Sequence, residues 1–219
     1  MNQPSKPSQL SKLSPLSKPS PPSKPLNVRI TNTGVYLNGR LLLPITADDS
    51  LTAIYRHLET DYPKFHKMDE LSKSAFLGVE LLKAHDPLLS TYNEDKVSLL
   101  FCNCSSCDSS DLKFEQSYAV NGSASPSHFV YTLPNIMMGE VAIRNKWYGE
   151  QQFLFQPAPD FTVIAENLVL LFNNGAEACI FAWVDIREKR DVFFVLLTPQ
   201  HDIPSLASAL EKLYITTHD

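Results

Sequence analysis

Three cysteines in one short segment are the side chains best suited to chemistry in this sequence. Cys102, Cys104 and Cys107 form a C-x-C-x-x-C pattern, and Cys179 stands alone. Thiolates with this spacing can bind Zn²⁺ or an iron–sulfur cluster. No second group of cysteine or histidine supplies an obvious fourth ligand, and LLFCNC is typical of a buried strand that enters a serine-rich turn. We therefore predict buried, reduced cysteines, and neither a metal nor another cofactor.

Other catalytic patterns are weak. Ser127 and His128 are adjacent, but the sequence has no G-x-S-x-G elbow, no G-x-x-x-x-G-K-[ST] phosphate loop and no G-x-G-x-x-G. The histidines are predicted to lie at the surface, at an interface or in terminal loops: His57, His66, His85, His128, His201 and His218. Four aspartates are predicted to cap helices or to form turns: Asp48, Asp49, Asp108 and Asp111.

The composition is that of one globular domain. The chain has 219 residues, of which 43% are hydrophobic and 20% are charged, so it can bury a sizeable core. No apolar run approaches the roughly 20 residues that span a bilayer. The N-terminus has lysines but lacks the continuous apolar region of a signal peptide. From these features we expect a cytoplasmic protein that does not enter a membrane.

The first 26 residues differ in kind from residues 27–219. The first 25 residues hold seven of the 16 prolines, no acidic residue, and a lysine at every sixth position from Lys6 to Lys24. This repeat predicts a disordered, basic N-terminal tail attached to one domain. Subtracting the four tail lysines from the formal net charge of −5 leaves −9 for the domain. An acidic domain argues against nucleic acid as the main partner.

The hydrophobic pattern predicts the order β-α-α-β-α-α-β-α-β-β-α, which is typical of a layered α/β fold. Strands are predicted at residues 28–36, with a turn at Asn32-Thr33-Gly34, and at residues 96–101, 153–155, 178–184 and 192–197, the last two as an antiparallel hairpin. Residues 37–44 contain an Asn-Gly turn and are compatible with a further hairpin arm. Helices are predicted at residues 48–58, 69–84, 110–118, 132–149, 161–173, and from 202 or 205 to about 214.

The helix at residues 132–149 has its own boundary signals. Thr132 is predicted to be its N-cap, Pro134 to lie in its first turn, and Gly149 to end it. The strand that follows contains Phe153 and Phe155, and prolines 157 and 159 stop it.

Two of these helices carry motifs that resemble the β-ketoacyl synthase family. TLPNIMMGEVAIRNKWYG is similar to the family pattern P-N-x-x-x-G-x-x-A-I-R-x-x-x-x-G, and the matching residues are Pro134, Asn135, Gly139, Ala142, Ile143, Arg144 and Gly149. KMDELSKSAFLGVELLK is similar to [KR]-M-D-x-x-[ST]-x-x-A-x-x-A-x-x-x-A-L, through Lys67, Met68, Asp69, Ser72 and Ala75, with Gly78 where a small residue is usual. The resemblance covers about residues 27–200. It implies an α/β fold that is half of a thiolase-like fold, with a five-stranded mixed sheet layered with helices.

The resemblance also implies where a nucleophile should be. Condensing enzymes of this family hold an acyl chain on a cysteine at the strand-to-helix turn that follows the A-I-R…G helix. The corresponding position here is approximately Ala158, and no cysteine or serine occurs from Gln151 to Phe172. The two catalytic histidines of the family come from its C-terminal half-fold, and neither His201 nor His218 matches a family motif. The resemblance therefore implies a subunit without catalytic residues.

We expect a partner subunit of the chain-length-factor type, which forms a heterodimer with a full-length ketosynthase in fatty-acid, polyketide or aryl-polyene synthesis. An acyl carrier protein would be an indirect partner that docks mainly on the ketosynthase, because carriers are acidic like this domain. As half a fold, the chain is also expected to expose apolar surface that its partner covers. Candidate interface or acyl-tunnel residues, for which an ordinary core role is the alternative, are Phe129, Tyr131, Met137, Met138, Phe153 and Phe155.

Two other functions remain open at this stage. The half-fold could serve as a free-standing acyl-binding or protein-interaction module. The chain could also be an enzyme with different chemistry that uses Cys102, Cys104 or Cys107.

Overall fold

The structure is a computed structural model that describes residues 25–45, 50–187 and 189–216. The predicted tail therefore lies outside the described residues, apart from Pro25 and Leu26. The predicted caps Asp48 and Asp49 and the histidine His218 lie outside them as well.

Within the described residues the chain forms seven strands and seven helices, which confirms the α/β class. The strands are β1 (Asn27–Ile30), β2 (Gly34–Leu37), β3 (Arg40–Pro44), β4 (Val97–Asn103), β5 (Gln151–Phe155), β6 (Ala178–Asp185) and β7 (Asp191–Leu197). The helices are α1 (Ser50–His57), α2 (Glu70–His85), α3 (Asp108–Asn121), α4 (Pro126–Phe129), α5 (Ile136–Asn145), α6 (Phe161–Asn173) and α7 (Ile203–Thr216). None of the described helices is long and apolar enough to cross a membrane.

All seven strands form one mixed sheet, in the order β3-β2-β1-β7-β6-β4-β5. Strand β4 runs parallel to β5 and β6, and the other neighbours are antiparallel. The prediction of five strands was wrong, because turns divide residues 28–44 into three strands. The Thr31 hydroxyl accepts hydrogen bonds from the backbone N–H groups of Thr33 and Gly34. Asn38 and Gly39, both at positive φ, make the second tight turn.

The two faces of the sheet carry two separate apolar clusters. The first cluster packs β-sheet side chains such as Phe101 and Phe194 against α1, α2 and α5. The second packs Leu100, Phe181 and Phe193 against α6 and α7. Strands β4, β6 and β7 are therefore buried on both faces, which explains their nearly continuous apolar sequences.

Most predicted elements are confirmed, including helix α6 and the antiparallel pairing of β6 with β7. The boundaries predicted for α5 were wrong. Thr132 lies in a separate 3-10 turn (Val130–Thr132), so α5 begins after Asn135, and Lys146 at positive φ ends it. Gly149 has a different role, because a Cβ atom there would collide with the backbone carbonyl group of Val97. It permits the close approach of the chain entering β5 to strand β4.

Candidate functional site

The turn between β5 and α6 lies at the carboxyl ends of the parallel strands, where open α/β sheets bind ligands. The backbone N–H of Gln156 donates a 3.0 Å hydrogen bond to the carbonyl oxygen of Asn103, so the turn continues directly from the sheet. A pocket of about 620 Å³ separates the turn from α7. Its lining includes Ala158 on the turn and Ser208 and Glu211 on α7, but no cysteine or histidine.

The N-terminus of α6 is occupied by a side chain of its own. One carboxylate oxygen of Asp160 accepts hydrogen bonds from the backbone N–H groups of Thr162 and Val163, at 3.0 and 3.1 Å. Asp160 is thus the N-cap, and its negative charge faces the positive end of the helix dipole. Free amide groups at such a turn could stabilise an oxyanion. Here an oxyanion would have to displace the Asp160 carboxylate from these two donors.

Cys104 lies at the same edge of the sheet, beside the end of β6. Its thiol donates a hydrogen bond to Asp185 Oδ2, with an Sγ–Oδ2 distance of 3.0 Å. Burial, followed by the hydrogen bond and charge of Asp185, raises the pKa of Cys104 to about 11. Burial opposes ionisation of Asp185 too, but hydrogen bonds from Cys104 and from the backbone of Arg187 outweigh it and lower the Asp185 pKa. The pair is therefore a neutral thiol and a carboxylate.

The C-x-C-x-x-C thiols do not converge. Cys102 packs into the second apolar cluster and Cys107 into the first, on the opposite face of the sheet. Burial raises the pKa of each to about 12, and it also raises the pKa of Cys179. All four cysteines are free, and these three are buried as predicted, but Cys104 is only partly buried, so the prediction of burial was wrong for it. Across the described residues, no group of three His, Cys, Asp or Glu side chains could hold a metal ion.

Strand β5 forms one edge of the sheet, and in the described chain it pairs only with β4. Phe155 is 63% exposed, whereas Phe153 and Leu154 are half-buried against the first and second clusters respectively. The side-chain oxygen Oε1 of Gln152 is buried and has no hydrogen-bond donor among the described residues. Such an acceptor is costly unless a donor from elsewhere reaches it.

A second exposed apolar surface lies on α3, α4 and the residues that follow. Helix α3 packs chiefly on α4 and on the 3-10 turn Val130–Thr132, and the rings of Phe114 and Phe129 are 5.6 Å apart. The large apolar side chains exposed here are Leu112, Tyr118, Val120, Phe129, Val130 and Leu133. Exposed groups of this kind mark interaction surfaces in soluble proteins.

The structure separates the six candidate interface or tunnel residues into three groups. Phe129 and Phe155 are exposed, Tyr131 and Phe153 are half-buried, and Met137 and Met138 belong to the first apolar cluster. The two methionines are thus buried within the chain itself. Burial, and secondarily the charge of Glu140, raises the pKa of Tyr131 to about 12.

Several residues of the two sequence motifs hold helices together. Asp69 caps α2 by accepting from the N–H of Ser72, and it also accepts a 2.8 Å hydrogen bond from the Ser110 hydroxyl on α3. Met68 is buried, whereas Lys67 is exposed. A Cβ at Gly78 would collide with the Phe194 ring, so a small residue is required there.

The structure gives a role to some residues of the α5 motif but not to all of them. Arg144 lies 3.7 Å from Glu80 and stacks over the Tyr62 ring, so it ties α5 to α2. Asn135 is the exposed residue before α5, and Pro134 is half-buried. Nothing in the structure explains Gly139, since a Cβ there would meet no atom within 4 Å.

Sequence reasoning placed Ala158 in the turn but missed the two carboxylates that define its surroundings. The sequence Asp-Phe-Thr before an apolar helix is a capping signal that could have identified Asp160. Asp185 could not have been found in this way, because its partner Cys104 is 81 residues away.

No protein-family model matches this chain, and no curated protein matches its sequence. Solved structures do match its fold. One is a chain from the ketosynthase (ApeO) in complex with its chain length factor (ApeC) from Xenorhabdus doucetiae, with a TM-score of 0.57 and 14% identity. The alignment covers 89% of this chain and 90% of that one.

Another match is a chain from AntDE:AntF, a type II polyketide synthase acyl-carrier protein in complex with its ketosynthase bound to the hexaketide. The TM-score is 0.54 at 12% identity, over 86% of this chain and 65% of the other. At such low identity these likenesses show the fold alone. They confirm the thiolase-like fold that the two motifs implied.

Proposed function

We propose that this chain is a non-catalytic, chain-length-factor-like subunit that pairs with a ketosynthase. The observation that carries the proposal is the turn after β5. The position at which the resemblance implies a nucleophile is approximately Ala158, and the adjacent helix amides are bound by Asp160. The turn therefore has no thiol at this position, and two N–H groups that could stabilise an oxyanion are already bound.

The thiols elsewhere in the chain do not replace the missing nucleophile. A cysteine acts as a nucleophile through its thiolate, which a raised pKa suppresses. Cys102, Cys104 and Cys107 have pKa values of about 12, 11 and 12. This chemistry favours a subunit role over the alternative of an enzyme that uses these cysteines.

The length of one structural neighbour supports a partner role as well. The aligned chain from the complex of ketosynthase ApeO with chain length factor ApeC is similar in length to this one, since the alignment covers about nine-tenths of each. A chain of this size and fold thus exists within a ketosynthase complex.

Strand β5 is the surface that we assign to the ketosynthase. An edge strand offers unpaired backbone N–H and C=O groups to a strand of another protein. The exposed Phe155 ring adds apolar contact area at this edge. Pairing at this edge would extend the sheet across the two subunits.

The test is co-expression with the ketosynthase encoded nearby, followed by size-exclusion chromatography with light scattering. We expect a stable one-to-one complex. Phe155→Glu places a charge at the proposed interface and should abolish that complex. Ile215→Glu is the matched control, because Ile215 is 53% exposed on α7, away from β5.

If Phe155→Glu still forms the complex, the interface with the ketosynthase does not lie at β5. A folded wild-type chain that forms no complex would contradict the subunit role. That result would favour the free-standing acyl-binding or protein-interaction module instead.

A further inference from the structure

An apolar groove of about 810 Å³ lies on the flank of α7 that faces the end of β7 and the 3-10 turn Pro87–Thr91. Leu196, Leu206 and Leu210 are buried at its base, and Ala209 is exposed at its wall. The volume falls in the range of about 300 to 1,000 Å³ that is typical of ligand sites. This groove shares no lining residue with the pocket at the Ala158 turn, so it is a separate site.

The N-terminal tail joins the domain at this groove. Pro25 and Leu26, the first residues that the structure describes, are themselves part of the groove lining. Twenty-four residues precede them. A segment tethered this closely has an effective concentration in the millimolar range at the groove, so weak contacts suffice for binding.

The tail sequence carries apolar side chains at a regular spacing. Leu10, Leu13 and Leu16 are three residues apart, among prolines and serines. In a polyproline II helix three residues make one turn, so side chains at this spacing face the same side. Pro25 is the ninth residue after Leu16, and at about 3.1 Å per residue this length of chain can span roughly 28 Å. The leucines can therefore reach the groove from their point of attachment.

The charges of the groove and the tail are complementary. The residues of the groove lining that are charged at neutral pH are Asp86 and Glu177, both acidic. The tail carries four lysines and no acidic residue. Such attraction between exposed charges is screened by salt, with a Debye length of about 10 Å at 0.1 M.

We propose that the segment from Leu10 to Pro22 binds in this groove as an intramolecular ligand. Its leucines contact the apolar base, and its lysines lie towards the acidic rim. The tail then has a defined binding site on its own domain. This proposal does not depend on whether the chain is a subunit of a larger complex. The groove, for its part, is covered by the chain that enters it rather than by another molecule.

Photo-crosslinking in the full-length chain tests the proposal. Leu13→benzoylphenylalanine should, on irradiation, form crosslinks to α7 and to residues 87–91, identified by peptide mass spectrometry. Mixing unlabelled and ¹⁵N-labelled chains distinguishes crosslinks within one chain from crosslinks between two. We expect crosslinks within one chain, with a yield that falls as NaCl rises from about 0.05 to about 0.5 M.

Two variants of α7 test the groove. One changes a residue that lines it, and the other is a control outside it. Ala209→Arg places a cation in the groove and should lower the crosslink yield by about tenfold. Ser208→Arg adds the same charge at an exposed position that lines the pocket on the other flank of α7, and it should leave the yield unchanged.

Three outcomes would overturn the proposal. Crosslinks found only between labelled and unlabelled chains would assign the groove to the tail of a second copy. A fatty acid that co-purifies with the chain and is lost in Ala209→Arg would assign it to an acyl chain. Crosslinks scattered over the domain, and equal in both arginine variants, would show that the tail has no site on it.

Discussion

The Asp160 carboxylate determines what the β5–α6 turn can do. It fills the position at which α6 would otherwise present free N–H groups to an anion. A negatively charged cap also opposes formation of a second negative charge on a neighbouring side chain. At this turn, therefore, one residue stabilises the helix and also places a negative charge beside the two amide groups that it binds.

Cys104 is half-exposed, so its reactivity is a direct measure of its environment. Its pKa is raised from 9.0 to about 11, which lowers the thiolate fraction near neutral pH by about 100-fold. We expect slow alkylation by iodoacetamide at pH 7.5, with a rate that increases with pH up to about 11.

Asp185→Asn removes the carboxylate that opposes ionisation, and it should raise the alkylation rate of Cys104 severalfold. The buried Cys102 and Cys179 serve as internal controls, because their exposure does not depend on Asp185. Peptide mass spectrometry after timed alkylation measures all of these sites at once. Wild-type Cys104 reacting as fast as an unperturbed thiol would contradict the assigned pairing.

At the scale of elements, helix α7 is attached to the sheet by a polar cluster in an otherwise apolar interface. Arg29 on β1 is 1% exposed and forms an ion pair with Asp191 on β7. The hydroxyl of Tyr214 on α7 donates a hydrogen bond to the same carboxylate. The Arg29 guanidinium group also lies 4.7 Å from the Tyr214 ring centroid. This cluster joins the first strand, the last strand and the last helix.

Tyr214→Phe removes one hydrogen bond to a charged group, and should lower the free energy of unfolding by about 1.5–3 kcal/mol. Urea denaturation followed by circular dichroism measures the change. Tyr118→Phe is the matched control, because Tyr118 is 61% exposed. An equal loss of unfolding free energy in both variants, or no loss in either, would contradict the stabilising role of the cluster.

The same tyrosine predicts a pH dependence. Burial, then the hydrogen bond and charge of Asp191, raises the Tyr214 pKa above its value in the unfolded chain. Its contribution is therefore complete below about pH 10, the ordinary tyrosine pKa, and is lost as the pH rises further. The wild type should lose more stability than Tyr214→Phe between about pH 9 and pH 11.

Elements with strong local patterns were predictable from the sequence. Helix α6 and the β6–β7 hairpin follow from apolar spacing and from stop signals such as Asn-Asn-Gly. The turns at residues 32–34 and at Asn38-Gly39 were predicted too, but the count of three strands in residues 28–44 depends on pairing with distant β7 as well as on these turns. The start of α5 was not predictable, because Thr132 belongs to a separate 3-10 turn. The Arg29–Asp191 pair was not predictable from the sequence either, because its two residues are 162 positions apart.

At the scale of the whole molecule, the helix layers differ in what they leave exposed. The exposed side chains of α6 and α7 are mainly polar, with Leu170 and Ile215 as the large apolar exceptions. Half of the large exposed apolar side chains lie on the segment from Leu112 to Leu133, and others are Phe155 at the end of β5, Leu41, Ile143 and Tyr148. A group of exposed apolar side chains such as that on the segment from Leu112 to Leu133 marks an interaction surface in a soluble protein.

The negative net charge of this domain predicts that it binds acyl carrier proteins weakly. The domain carries −9 once the four tail lysines are excluded from the total of −5. Carriers are acidic, so their encounter with this domain is electrostatically unfavourable. In biolayer interferometry at physiological salt, an immobilised carrier should bind the ketosynthase complex but give no signal with the isolated chain.

A variant without the tail charges distinguishes carrier binding by the tail from carrier binding by the domain. In it, four lysines are changed to Gln: Lys6, Lys12, Lys18 and Lys24. It should bind the carrier no better than the wild type in isolation, and it should leave binding by the complex unchanged. Tight carrier binding by the isolated lysine-free variant would place the carrier site on this domain. That result would contradict the expectation that a carrier docks mainly on the ketosynthase.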